Sequence, residues 1–240
     1  MKSRLEIDHP RAQGTAPPTD HEGIDFDYLG MLVFAMPMKG LQQRSIETRA
    51  RIVAVAAETF MNQSYAAVST HEIASAAGVT QGLVTYHFKS KRGLWQAAMD
   101  FQFGRFRNTL HEQIQELREF DERTFIRETI RQLVGLEMQY PSIVRFMIGN
   151  GASADPDLDW LLERHIRPVY DAICHIFEVG RRHGVLRQVP IANAYYVLVT
   201  AGSVFSLVDE MRVIAGQDVT SPAFASAHAQ CLVTMLMSDD

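Results

Sequence analysis

The chain has 240 residues, a formal net charge of −5 and two cysteines, Cys174 and Cys231. That length can bury a core without a staple, and two unpaired cysteines make neither a disulfide framework nor a zinc-ligand pattern, so no metal and no cofactor are expected. The early apolar run Tyr28 to Met38 is too short to span a bilayer and follows acids rather than a basic segment; neither signal peptide nor membrane span is expected, and a reducing, cytoplasmic location is.

Charge is unevenly placed. Residues 1–38 hold 3 basic and 6 acidic side chains, residues 39–100 hold 7 and 4, and residues 101–240 hold 13 and 18. The first stretch carries Pro10, Gly14, Pro17 and Pro18 without a hydrophobic period, and is expected to be a disordered extension over 1–38. Met36 and Met38, just before Lys39, are candidate translation starts, an expectation that an N-terminal sequence of the native protein would test.

From Ser45 the pattern turns helical, with Ile52, Val53, Ala56 and Phe60 on one stripe. Ser69-Thr70-His71-Glu72 reads as a capping box opening a second, short helix that Gly78 stops. Thr80 is the expected N-cap of a third helix ending near Phe88, and Ser90 that of a fourth from Lys91 to about Leu117. Beyond residue 120, helices are expected near 122–140, 142–149, 156–183, 190–215 and 221–237, with Pro156 and Pro222 in first turns and Gly184 closing a helix whose last turn is basic. No alternating run argues for a sheet, so the fold class expected is all-α.

The segment Thr70 to Phe88 reads as two helices joined by a turn at Gly78, the arrangement of a DNA-binding helix-turn-helix. If Val84 and Phe88 are buried, the helical period sends Gly82, Leu83, Thr85, Tyr86 and Lys89 outward, with Gln81 at the tip. Gln can bond adenine, Thr can meet a base or a thymine methyl, and Tyr86, His87 and Lys89 can reach phosphates. Lys91 and Arg92 add charge beside them.

The run IASAAGVTQGLVTYHFKSKRGLW, within Arg44 to Met99, closely resembles the DNA-binding domain of tetracycline-repressor (TetR) type regulators. The resemblance implies an N-terminal three-helix domain, 39–90, followed by a helical ligand-binding and dimerisation domain, 91–240. It places Gln81, Leu83, Thr85, Tyr86 and His87 at operator DNA and Lys91 on a phosphate, and with Thr80, Gly82 and Lys89 from the helical reading these make the expected DNA-binding set. Three positions depart from the family pattern: Ser64 stands for a glycine, Val68 for a threonine and Thr85 for a tyrosine.

The same resemblance implies a homodimer with a small-molecule cavity in each subunit and a repressor released from a palindromic operator by its ligand. A hydrophobic or aromatic ligand is expected against Phe101, Phe106, Met138, Phe146, Met147, Trp160, Tyr170, Phe177 and Tyr195, with His165, Arg167 or His175 as polar anchors. A dimer face is expected from Val199, Gly202, Ser203 and Ser206 together with Phe224, His228, Cys231, Leu232 and Met235. An activator of the same fold is the nearest alternative, and an all-helical protein-binding adaptor a remoter one. Catalysis is not expected, because no H-E-x-x-H, phosphate-cradling glycine loop or G-x-S-x-G elbow occurs.

Overall fold

A computed structural model describes residues 43–150 and 157–239, so the expected extension over 1–38 and the first-turn Pro156 lie outside the described residues. Among these residues the fold is all-α, with no strand beyond a single bridge between Leu186 and Met237. Helix α1 (Gln43–Asn62) buries the expected stripe of Ile52, Val53, Ala56 and Phe60 and lies along α4 (Lys91–Glu116). Between them stand two short helices, α2 (Thr70–Ala76) and α3 (Gln81–Phe88).

Helix α4 also supplies Leu94, Trp95, Met99, Phe103 and Leu110 to the core, so the interior of the first helices continues into the later ones. Those are α5 (Glu122–Gln139), α6 (Pro141–Asn150), α7 (Leu158–Leu161), α8 (Arg167–Arg182), α9 (Ile191–Ala201), α10 (Val208–Ile214) and α11 (Pro222–Leu236). Asp121 caps α5 through the Thr124 amide, and Ser221 caps α11 through the Phe224 amide, at 3.0 and 3.2 Å.

Two long helices expected from the sequence are interrupted. Between α7 and α8 a π turn, Leu162–Ile166, buries His165 completely and turns Arg164 onto Asp100 of α4. The expected helix over 190–215 is three pieces, because α9 tightens into a 3₁₀ turn, Gly202–Ser206, before α10. That tightening presses Gly202 against Glu137 of α5 and brings the Phe205 ring to 6.2 Å from Phe224 and 5.8 Å from His228. No single helix among the described residues is long and apolar enough to cross a membrane.

Candidate nucleic-acid interface and apolar cavity

Local sequence builds the helix-turn-helix. The Ser69 hydroxyl accepts from the His71 amide at 3.2 Å, opening α2; Glu72 is exposed and returns no bond, so only the hydroxyl half of the expected capping box forms. Val68, in place of the usual threonine, is buried and anchors that entry by packing. Ile73 and Ala74 of α2, Ala77 at its C-cap, and Val84 and Phe88 of α3 form the shared apolar seam. Gly78 between them has φ +63°, a conformation that a side chain would strain.

With Val84 and Phe88 inward, Gln81, Gly82, Leu83, Thr85 and Tyr86 are exposed, the tyrosine by 65%. Thr80 stands at the N-cap position, but its hydroxyl makes no capping bond, which corrects the expected cap and leaves the group open to a partner. His87 is half-buried; burial first, then Arg49 and Lys89, holds its imidazole below the ordinary value. Lys89, at φ 67°, ends α3; its ammonium donates to the Tyr86 carbonyl at 2.8 Å and stands 5.3 Å from that ring's centre.

Lys91 is engaged within the protein. Its ammonium donates to the Ala66 carbonyl at 3.3 Å and sits 4.7 Å from the centre of the Tyr65 ring, tying the loop before α2 to the start of α4. Sequence reasoning missed Arg49, whose guanidinium lies 5.2 Å from the Phe88 ring centre and adds positive charge from α1. Only the packing of α1 on α3 brings it there. The Ser90 hydroxyl accepts from the Gly93 amide at 3.0 Å, and a Cβ on Gly93 would lie 2.3 Å from the Phe88 carbonyl oxygen. The end of α3 and the start of α4 therefore touch backbone to backbone.

Further along α4, a cavity of about 100 Å³ opens between α4, α5, α6, the π turn, α8 and α9. Of the expected ligand contacts, Phe106, Met147 and Tyr195 stand in its lining, with the expected anchor His165 and, beyond the expectation, Phe103 and Glu137. The other expected contacts lie elsewhere. Phe177 and Phe146 are core; Trp160 packs on Trp95 and His165; Tyr170 is edge-on to Tyr195; Phe101 is exposed; Met138 packs against the core. Arg167 pairs with Glu163 at 3.2 Å, and neither it nor His175 lines the cavity.

The cavity wall is bonded to α4. Arg107 donates to the Arg164 carbonyl at 2.9 Å and meets His165 Nδ1 at 3.2 Å, so that nitrogen is the acceptor and the proton sits on Nε2, 3.1 Å from Asp100 Oδ1. Burial keeps the His165 imidazole below its ordinary value, against the hydrogen bond to Asp100. Burial works to raise Asp100, but the bonds from His165 and Arg164 outweigh it and hold the carboxyl below the usual range. Nearer the start of α4, Arg92 clasps the buried Asp157 with Nε 2.7 Å and Nη2 2.5 Å from the two carboxylate oxygens.

The expected dimer residues divide. Cys231 is exposed and Met235 is 56% exposed, whereas Leu232 and Gly202 are buried and Val199 lines the cavity, so these three serve the subunit's own interior. Ser203 and Ser206 are half-buried, and Phe224 and His228 stack on each other with His228 bonded to the Ala201 carbonyl. Apolar exposure is instead largest on α10, where Val213 and Ile214 are 77% and 79% exposed.

The model of the family "Bacterial regulatory proteins, tetR family" matches residues 52–98. Over 54 residues the chain is 44% identical to the HTH-type transcriptional regulator AcrR of Shigella flexneri, covering 22% of this chain and 25% of that one. Over 59 residues it is 37% identical to TtgR of Pseudomonas putida, covering 25% and 28%. The chain thus spans about a quarter of the length of these curated relatives. A solved TetR transcriptional regulator from Chloroflexus aurantiacus shares the fold, with a TM-score of 0.60, 20% identity and coverage of 82% of this chain and 100% of that one.

Proposed function

We propose that this chain, whose residues 52–98 match the model of the tetR family of bacterial regulators, is a homodimeric transcriptional repressor that binds a palindromic operator and leaves it when a small ligand fills the cavity. The observation that carries the reading is the outer face of α3: Gln81, Leu83, Thr85 and Tyr86 project from a short helix fixed by two buried side chains. A duplex major groove accepts such a helix, with its first turn at the base edges. The free Thr80 hydroxyl and the cations Arg49 and Lys89 border that face and suit phosphates.

Lys91 joins them by exchanging its Ala66 carbonyl for a phosphate oxygen, a trade between two acceptors at one place. Two such helices must reach successive grooves, about 34–36 Å apart, which requires a second copy of the chain. The apolar exposure of Val213, Ile214 and Met235 supports a partner near α10 and α11.

Release follows from the shared wall. A ligand that moves His165 moves its bonded partners Asp100 and Arg107 on α4, and with α4 the segment against which α3 rests. Ligand and operator then weaken each other by the same factor. The test is a mobility-shift titration with the DNA upstream of the gene across a salt series. Affinity that falls steeply with salt is expected, since phosphate contacts release counterions; salt-independent binding, or none, would overturn the reading.

A further inference from the structure

Glu137 is 4% exposed, lines the apolar cavity, and its Oε2 has no hydrogen-bond partner. A buried carboxyl left in that state costs free energy, and here the neighbouring backbone makes way for it. Gly202 lies so close that a Cβ there would sit 2.5 Å from the Glu137 carboxyl carbon and 2.6 Å from Oε2. The notch is therefore shaped around the acid, and Phe103, Phe106 and Tyr195 are the aromatic members of an otherwise mainly aliphatic lining. Arg107 and Arg164 are engaged at His165 and Asp100, and burial alone, with no cation, acts on Glu137.

We infer that the cavity takes a small lipophilic amine, one ring or its aliphatic equivalent in size, whose ammonium group pairs with the Glu137 carboxylate among the aromatic side chains. This rests on the reading of the cavity as the effector site and names the effector's class. The volume of about 100 Å³ is below the roughly 150 Å³ of a dry cavity that holds a benzene ring, so even a one-ring occupant must push the wall outward, and nothing larger is accommodated. The aromatic faces favour a cation through their quadrupoles. Burial pushes the Glu137 carboxyl up to about 9, so the acid is neutral until a partner arrives. An amine that enters unprotonated takes the Glu137 proton onto its nitrogen, and one that enters as ammonium sends that proton to solvent. Either way, one ammonium and one carboxylate remain.

The test is calorimetric titration of the full chain at neutral pH with three probes of one shape: benzylamine, benzyl alcohol and toluene. Benzylamine should bind at least about tenfold tighter than benzyl alcohol, and Glu137→Gln should abolish that preference while leaving toluene unchanged. Gly202→Ala, which drives a methyl into the carboxyl, should lower benzylamine affinity in the same direction. Equal binding of amine and alcohol would overturn the inference in favour of a neutral hydrogen-bonding ligand. A preference that survives Glu137→Gln, or no binding of any probe, would also overturn it. Should the variants fail to fold, the comparison of amine with alcohol on the unaltered chain still decides. Operator binding measured without probe separates the two readings: a chain that binds DNA but not benzylamine loses only the amine assignment, and one that binds benzylamine but not DNA loses only the regulator assignment.

Discussion

Tyr86 and Glu137 show how one side chain's surroundings set its task. Tyr86 stands 65% exposed on α3 with little burial to lose, so Tyr86→Ala should leave helicity and melting temperature nearly unchanged. Operator affinity should fall by roughly 1–3 kcal/mol, the worth of a direct groove contact, as read by mobility shift against a circular-dichroism control. Glu137 is the opposite case. Its carboxyl rises from an ordinary 4.5 to about 9 on folding, so the fold bears no ionisation penalty below pH 4.5, and the penalty grows as pH rises toward 9. Without ligand, Glu137→Gln should therefore match the native chain at acid pH and exceed it by about 3 kcal/mol at pH 7, measured by urea unfolding at both. Tyr86 could be read outward from the spacing of Val84 and Phe88. Glu137 could not, because nothing in GLEMQY marks burial; only Gly202, distant along the chain, closes over it.

At the scale of elements, the contact between α3 and α4 fixes how the recognition surface is presented. Gly93→Ala would set a methyl 2.3 Å from the Phe88 carbonyl oxygen, and backbone cannot yield as a flexible side chain does. The expected outcome is a loss of about 1–3 kcal/mol in thermal or denaturant stability, together with weakened DNA binding out of proportion to the fraction unfolded. Helices with local signals were legible: the Ser69 and Ser90 hydroxyls, Gly78 and the apolar stripe of α1 declare themselves within a few residues. The π turn at Leu162–Ile166 and the 3₁₀ turn at Gly202–Ser206 were not, because partners on other helices hold them, Asp100 and Arg107 in one case and Glu137 in the other. Arg49 escaped for the same reason.

Across the described molecule, the most exposed large apolar side chains are Val213 and Ile214, near the end of the chain. In the proposed homodimer, Val213 and Ile214 on α10, with Met235 on α11, would form the seam with the second copy. Replacing Ile214 by Asp should shift sedimentation from dimer to monomer while leaving the isolated fold intact, since no residue of α10 is buried; an unchanged sedimentation coefficient would move the seam elsewhere. The monomer should also lose cooperative operator binding, because one recognition helix cannot span two half-sites. The position of the cavity along α4 has one more consequence. Phe103 and Phe106 lie about a dozen residues past Lys91, roughly 18–22 Å along the axis. A tilt of only about 5° pivoting at those rings would swing the head of α4 by nearly 2 Å, so under the proposed release the helix would act as a lever arm that turns a small rotation beside the cavity into a larger shift at its far end.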